Sequence, residues 1–144
     1  MSLQTDTFFV QVLTASTDVQ AIVDGRIYDT IDDEIEPDTA AVPYVMIYND
    51  GTDNQTQSKD DECESDYDND NIRLQVVAQS RSQLATLATL IRSTIRSAAH
   101  SASTTALGFD LVDYAFHAGA VLFDEDGPCY YQDLIYNCET LNIQ

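Results

Sequence analysis

A change of hydrophobic period between residues 71 and 99 constrains this chain more than any other feature of its sequence. Residues 71–79 alternate between polar and apolar, as a half-buried β-strand does, with the apolar positions at Ile72, Leu74, Val76 and Ala78. The apolar residues then recur at helical spacing, at Leu84, Leu87, Ala88, Ile91, Ile95 and Ala98. The sequence therefore predicts a strand that runs almost directly into a long helix, which packs its apolar stripe back onto the sheet.

The tetrapeptide Ser80-Arg81-Ser82-Gln83 lies at the point where the period changes. It has the pattern of a capping box, in which a serine hydroxyl accepts from the first helical turn and a glutamine three residues later reaches back. The long helix is therefore expected to begin here.

Weaker patterns predict elements before this unit. A first helix, capped by Thr5 or Asp6, carries Phe8, Phe9, Val12 and Leu13, and a second begins at Ser16, Thr17 or Asp18 and ends at Gly25. Short strands are expected at 26–28 and 43–48, the latter ended by the turn signal Asn49-Asp50-Gly51.

Three further strands are expected after the long helix, at 108–116, 120–123 and 129–141, with Gly119 as a break and 124–128 as a turn. In the last of them Cys129 and Cys138 are nine residues apart and face opposite sides. The order of elements predicts an α+β fold: a mostly antiparallel mixed sheet, with one long helix and short N-terminal helices packed on one face.

The length of 144 residues suits a single domain covering 1–144. No apolar run approaches 18 residues, so no transmembrane helix is expected. The first residues lack the basic and apolar regions of a signal peptide, so the product is expected to stay in the cytoplasm of the cell that makes it.

The charge is strongly negative, with 25 acidic residues against 6 lysines and arginines and a net charge of −19. Proteins bind nucleic acids mainly by neutralising phosphates, so this composition argues against nucleic-acid binding. It argues equally against anionic membrane surfaces. Solubility through self-repulsion is the simplest partial explanation of the charge.

The charges are also segregated along the chain. Six acids lie in 29–38 and nine in 50–70, whereas 71–109 has none and holds four of the six basic residues. We interpret 50–70 as an acidic, flexible loop, because a long segment without apolar pattern is functional or disordered. A head-to-tail assembly could pair one subunit's acidic loop with the next subunit's arginines; pairing within one chain, or none, remains the alternative.

The candidate subunit-interface residues follow from this segregation. They are Arg73, Arg92 and Arg96 on the basic side and Asp60, Asp61, Glu62, Asp66 and Asp68 on the acidic side.

No arrangement of residues predicts a catalytic, cofactor or metal site. The two histidines and three cysteines show no metal-binding spacing, and phosphate-loop and nucleophile-elbow motifs are absent from the sequence. Asp66, Asp68 and Asp70 match the first ligands of a calcium loop, but the sixth position is Asn71 instead of Gly and the twelfth is Val77 instead of Glu. Weak binding of divalent ions is all that this pattern would support.

The order of these features resembles a phage family, the tail-completion or tail-terminator proteins of long-tailed bacteriophages. The resemblance spans nearly the whole chain. It is carried by the N-terminal helix, Ile22-Val23-Asp24-Gly25-Arg26-Ile27-Tyr28-Asp29, Pro43-Tyr44-Val45-Met46-Ile47, Ile72-Arg73-Leu74-Gln75-Val76-Val77, the helix after Arg81, the strand pair around 113–123 and the last strand.

The resemblance implies a structural virion protein of the phage tail and neck, without enzymatic activity. Such proteins form a homo-oligomeric ring, usually hexameric, which caps the tail tube, stops its polymerisation and offers a surface to the head-side connector. DNA passes through the lumen without specific binding, which an acidic lumen would favour.

Two other classes of function remain open on the sequence alone. An acidic inhibitor that imitates DNA would fit the charge, although most acids here fall in predicted loops instead of on a rigid surface. A small hydrolase would need a buried constellation of catalytic residues.

Overall fold

The computed structural model describes residues 2–29, 42–53, 67–99, 110–125 and 127–141. In chain order the helices and strands are α1 (Ser2–Ala15), α2 (Thr17–Val23), β1 (Ile27–Asp29), β2 (Tyr44–Asp53), β3 (Tyr67–Ala78), α3 (Arg81–Ala99), β4 (Asp110–Ala118), β5 (Leu122–Asp124) and β6 (Cys129–Leu141). This order confirms the predicted α+β class. No helix in the described ranges is long and apolar enough to cross a membrane.

The strands form one mixed sheet in the order β1-β2-β3-β6-β4, and β5 also pairs with β6. Only β1 and β2 run parallel; the other pairings are antiparallel, as predicted. β4 pairs with the second half of β6, from Leu134 onward, and β5 pairs with its first residues. β4 and β5 thus follow one another along the same side of β6.

The main core lies between the helices and one face of the sheet. The alternating residues of β3 predicted for one face, Ile72, Leu74, Val76 and Ala78, are all fully buried. The stripe of α3 packs on the same core through Leu84, Leu87, Ile91 and Ile95, and α1 adds Phe8, Phe9 and Leu13. The helix folds back onto the sheet as its hydrophobic period predicts.

The opposite face of the sheet carries a smaller apolar cluster. Tyr44, Met46 and Val77 are its buried members, and Tyr28 and Tyr131 pack against them. Cys129 contacts this cluster whereas Cys138 lies in the main core, so the prediction that these two cysteines face opposite sides is confirmed.

Side chains fix the start of α3. The hydroxyl of Ser80 accepts from the backbone N–H of Gln83 at 3.1 Å. The return bond of the capping box runs from the N–H of Gln79, one residue before the cap, to the Gln83 side-chain oxygen at 2.9 Å. Each bond satisfies a backbone donor that the first turn or its approach would otherwise leave without a partner.

The ends of the early elements differ from the prediction. α1 begins at Ser2 instead of after Thr5 or Asp6. α2 has the expected N-cap, Ser16, whose hydroxyl accepts from the N–H of Val19 at 3.3 Å. Its end is left-handed already at Asp24, with φ 48°, and Gly25 follows with φ 79°. Asp29, one residue beyond the strand expected at 26–28, is a buried residue of β1.

The prediction that 50–70 is one loop is wrong at both ends. β2 continues through the expected turn to Asp53, and β3 begins at Tyr67 instead of Asn71. Gly51 adopts φ 121°, and the register between β2 and β3 shifts between Asn49 and Thr52. The Asn-Asp-Gly signal therefore produces a β-bulge inside the strand, where a glycine supplies the positive φ.

Candidate assembly surface

The residues predicted for subunit contact fall on different parts of the fold. Arg73 lies on β3, on the sheet face opposite the helices, whereas Arg92 and Arg96 are exposed on α3. Asp68 belongs to β3. The remaining predicted residues, Asp60, Asp61, Glu62 and Asp66, lie outside the described residues.

Arg73 is engaged within its own chain. Its Nε lies 3.1 Å from Oδ2 of Asp50 on β2, and a terminal nitrogen lies 3.8 Å from Oδ1 of Asp133 on β6. The guanidinium also stacks over the Tyr48 ring, 4.1 Å from its centre. For this arginine the structure shows the pairing within one chain that the sequence left as an alternative.

Arg92 makes a different kind of contact. Its guanidinium carbon lies 4.3 Å from the centre of the Phe116 ring on β4, which links α3 to the edge of the sheet. Across the described ranges, neither Arg92 nor Arg96 is paired with a carboxylate. Both side chains are exposed on α3.

A groove of ≈ 600 Å³ runs between α3 and the strands at this edge. We call it the α3–β4 groove. It is lined by Arg81, Ser82, Ala85, Ala88, Thr89 and Arg92 of α3 and by Phe116, Ala118, Val121, Gln132 and Leu134 of the sheet side. Its walls are mostly apolar, and two arginines stand on its helical side.

An exposed apolar tripeptide adjoins the groove. Val121, Leu122 and Phe123 expose 40%, 49% and 50% of their surfaces. The ring centre of Phe123 lies 4.9 Å from that of Tyr130 on β6. Consecutive large apolar residues that are exposed at a sheet edge are typical of a binding surface.

Sequence reasoning predicted a strand at 120–123 but missed this patch, and it assigned Arg81 only to a helix cap. The signal was the break at Gly119, whose N–H donates to the carbonyl of Asp133 at 2.8 Å. An extra Cβ there would lie 3.3 Å from that carbonyl oxygen, which favours glycine. At this break the chain stops pairing with β6 at the end of β4 and pairs with it again as β5. Val121 lies between the two strands and is exposed.

The two edge strands of the sheet differ in length. Within the described residues the sheet ends at β1, a strand of three residues, and at β4, a strand of nine residues. An edge strand leaves one row of backbone N–H and C=O groups without strand partners, which makes it a template for pairing with another chain. The longer edge is the one that borders the α3–β4 groove.

Beneath Arg92 the core is aromatic. The ring of Tyr136 lies 5.0 to 5.5 Å from those of Phe9, Tyr114 and Phe116. Burial raises the pKa of Tyr136 far above its usual value, with a smaller contribution from Tyr114. Burial, and next the charge of Asp70, raise the pKa of Cys138 to about 12. Both groups are therefore neutral at pH 7 and serve as packing residues.

The part of the chain that the structure describes contains no group of three His, Cys, Asp or Glu residues that could hold a metal ion. Asp70, the third residue of the calcium-like pattern, is fully buried under the sheet's helical face. Its position in β3 is incompatible with a calcium loop that includes it.

Comparisons with known proteins identify a similar fold and a family. The fold is similar to a chain in a solved structure titled "Virion of native gene transfer agent (GTA) particle", with a TM-score of 0.63, 15% identity, and coverage of 94% of this chain and 93% of that one. The comparison with curated proteins found no match. A family model described as "Tail completion protein gp17" matches residues 9–136, which is most of the chain. The chain therefore belongs to the tail completion protein gp17 family, whose members are structural proteins of the phage tail.

Proposed function

We propose that this protein is the subunit of a ring, hexameric by expectation, which caps the tail tube and joins it to the head-side connector. Membership of the tail completion family supports a place at the end of the tail. The likeness of fold to a chain of a virion particle supports an assembled rather than a solitary form.

One observation carries the proposal. The longer edge of the sheet, β4, borders both an exposed apolar patch and arginines without carboxylate partners in the described residues. The chain has a net charge of −19, so a surface that carries arginines is opposite in charge to most of the remaining surface of a second copy. Contact between two different surfaces of identical subunits is heterologous, and it closes into a ring when the rotation per subunit allows.

The acidity suits a channel for DNA. A lumen with the same sign of charge as the phosphate backbone binds DNA weakly, since affinity for DNA depends on neutralising phosphates. DNA can then pass through the ring without being retained. In this proposal Asp60, Asp61, Glu62, Asp66 and Asp68 meet Arg92 and Arg96 of a neighbour or face the lumen.

The test is the native mass of the purified chain at low and at high salt. A closed oligomer of about six copies is expected at low salt, and its loss at high salt would implicate charged contacts, which salt screens. If the chain is a monomer alone, purified tail tubes are added and the bound copies are counted. A chain that stays monomeric and leaves the tubes unbound would overturn the proposal.

A charge reversal sharpens the test. Arg92→Glu with Arg96→Glu should prevent assembly and leave the monomer folded, because both side chains are exposed on α3. The control is Thr86→Glu with Ser97→Glu, which adds half as much negative charge, at exposed positions on another side of the same helix. Equal assembly of the two variants would contradict a role for the arginines.

A further inference from the structure

We propose that the α3–β4 groove binds a second copy of this chain through an acidic segment that carries isoleucines, and that residues 30–41 provide it. The inference rests on the proposed ring, and it names the two surfaces that meet between neighbouring subunits. At Arg92 this contact replaces the one with the acids of 50–70, which would supply charge alone.

The groove has two kinds of binding chemistry. Arg81 and Arg92 stand on α3 eleven positions apart, which is about 16 Å along a helix. The side chains between them on the groove side are small, namely Ala85, Ala88 and Thr89. Phe116 and Val121 form the apolar wall opposite. A fitting ligand therefore has apolar side chains for the middle of the groove and carboxylates for its ends.

The position of Arg81 strengthens this requirement. It is the first residue of α3, and the first turn contains no acidic residue. A cation at a helix N-terminus is disfavoured by the helix dipole. Among the described residues no carboxylate is paired with Arg81. A carboxylate from another chain would neutralise the positive charge of the guanidinium and the partial positive charge of the helix N-terminus.

The sequence of 30–41 matches these needs. It reads Thr-Ile-Asp-Asp-Glu-Ile-Glu-Pro-Asp-Thr-Ala-Ala, so that Ile31 and Ile35 stand among five carboxylates. The other acidic stretch outside the described residues, 54–66, contains no Val, Ile, Leu or aromatic residue. Only the first stretch offers apolar side chains together with charge.

The topology favours a neighbour over the same chain. Residues 30–41 follow β1 and precede β2 in the chain, and β1 is the edge of the sheet opposite to β4. Four strand spacings separate the two edges, which is about 19 Å. A segment of twelve residues that starts and ends at the same edge of the sheet can reach at most about 20 Å from it, which is half of its fully extended length. Reaching the groove of the same chain would use all of that length, whereas the β4 edge of an adjacent copy can lie beside β1.

The experiment is a charge exchange between two variants of the full chain. One carries Arg81→Glu with Arg92→Glu, and the other carries Glu34→Arg with Glu36→Arg, which flank Ile35. Each variant alone should remain unassembled even at a protein concentration tenfold above the one at which the native chain assembles. An equimolar mixture should recover assembly, because the native groove of one variant again meets the native segment of the other, and at the reverse contact the new arginines meet the new glutamates. Failure of the mixture to recover, while the native chain assembles, would overturn the inference and leave the proposed ring intact.

A peptide experiment does not depend on ring formation. A fluorescently labelled peptide of residues 30–41 should bind the native chain, and the Arg81→Glu/Arg92→Glu chain should bind it at least tenfold more weakly. The matched control is the same peptide with Ile31→Ser and Ile35→Ser, which keeps the charge and should also bind more weakly. Equal binding of both peptides, or equal binding to both chains, would contradict the proposed contact. If the chain binds the peptide but never assembles on tail tubes, the groove is a binding site for 30–41 and the proposed ring is refuted.

Discussion

Nε of Arg73 lies 3.1 Å from Oδ2 of Asp50, and this ion pair joins β3 to β2 on the face of the sheet opposite the helices. The pair sits next to the Asn49–Thr52 bulge and beside the Tyr48 ring that the same guanidinium covers. Arg73 thus stabilises the irregular part of its own sheet. Arg92, by contrast, rests on the aromatic ring of Phe116 at the sheet edge.

The first prediction concerns this pair. The Arg73 and Asp50 side chains are 29% and 47% exposed, so solvent screens their attraction. We expect a coupling of about 0.5 kcal/mol in a double-mutant cycle of Arg73→Ala and Asp50→Ala, measured by urea unfolding. Arg73→Ala should leave assembly unchanged, unlike reversal of Arg92 and Arg96. A coupling near zero would mean that the contact seen between the two strands contributes nothing to stability.

The second prediction concerns the start of α3. Ser80→Ala removes the hydroxyl that accepts from the Gln83 N–H and should lower the free energy of unfolding by about 1 kcal/mol. Ser82→Ala is the matched control, because Ser82 is exposed on the first turn of the same helix and its own hydroxyl is not the cap. Equal effects of the two substitutions would show that the cap bond is unimportant.

The sequence predicted best where burial and backbone period agree. β3 and α3 follow from their apolar spacing, because the large apolar residues that the pattern assigned to the core are buried, while Ala88 and Ala98 are partly buried. The last strand was predicted with its final boundaries, 129–141. At β2 a turn signal was misleading, since Asn49 and Gly51 form a bulge that continues the strand: the N–H of Gly51 donates to the Asn49 side chain at 2.8 Å.

The candidate surface was predicted only in part. Local sequence indicates that Arg92 is exposed, but its position over Phe116 depends on the order of strands, which brings β4 to the edge nearest α3. The parallel pairing of β1 with β2 likewise arises from contacts distant in sequence. The groove is a product of topology, so no single segment contains the pattern that would predict it.

The third prediction concerns the aromatic core. The Tyr136 hydroxyl is buried and has no hydrogen-bond partner among the described residues. Burying a hydroxyl without a partner costs free energy, so Tyr136→Phe should keep the free energy of unfolding unchanged or raise it by up to about 1 kcal/mol. Tyr130→Phe serves as the control, because Tyr130 is only half-buried. A loss of more than about 1 kcal/mol in Tyr136→Phe would reveal a hydrogen bond to that hydroxyl.

The last prediction is a pH dependence that originates in one thiol. Burial, and next the charge of Asp70, raise the pKa of Cys138 from 9.0 to about 12 in the folded chain. Below pH 9 the thiol is protonated in both folded and unfolded chains, so its contribution to stability is constant. Above pH 9 the unfolded chain releases the proton and the folded chain retains it, so stability falls as the pH rises toward about 12.

Between pH 8 and pH 10 this one thiol should lower the free energy of unfolding by about 1.4 kcal/mol. The measurement is urea unfolding of the native chain and of Cys138→Ala at both pH values. Other titrating groups act on both proteins, so the difference between their two pH-dependent losses isolates the thiol. Cys138→Ala should lose less stability over this interval, whatever offset its smaller side chain introduces at pH 8. Parallel losses in the two proteins would show that the Cys138 thiol ionises as readily in the folded chain as in the unfolded one.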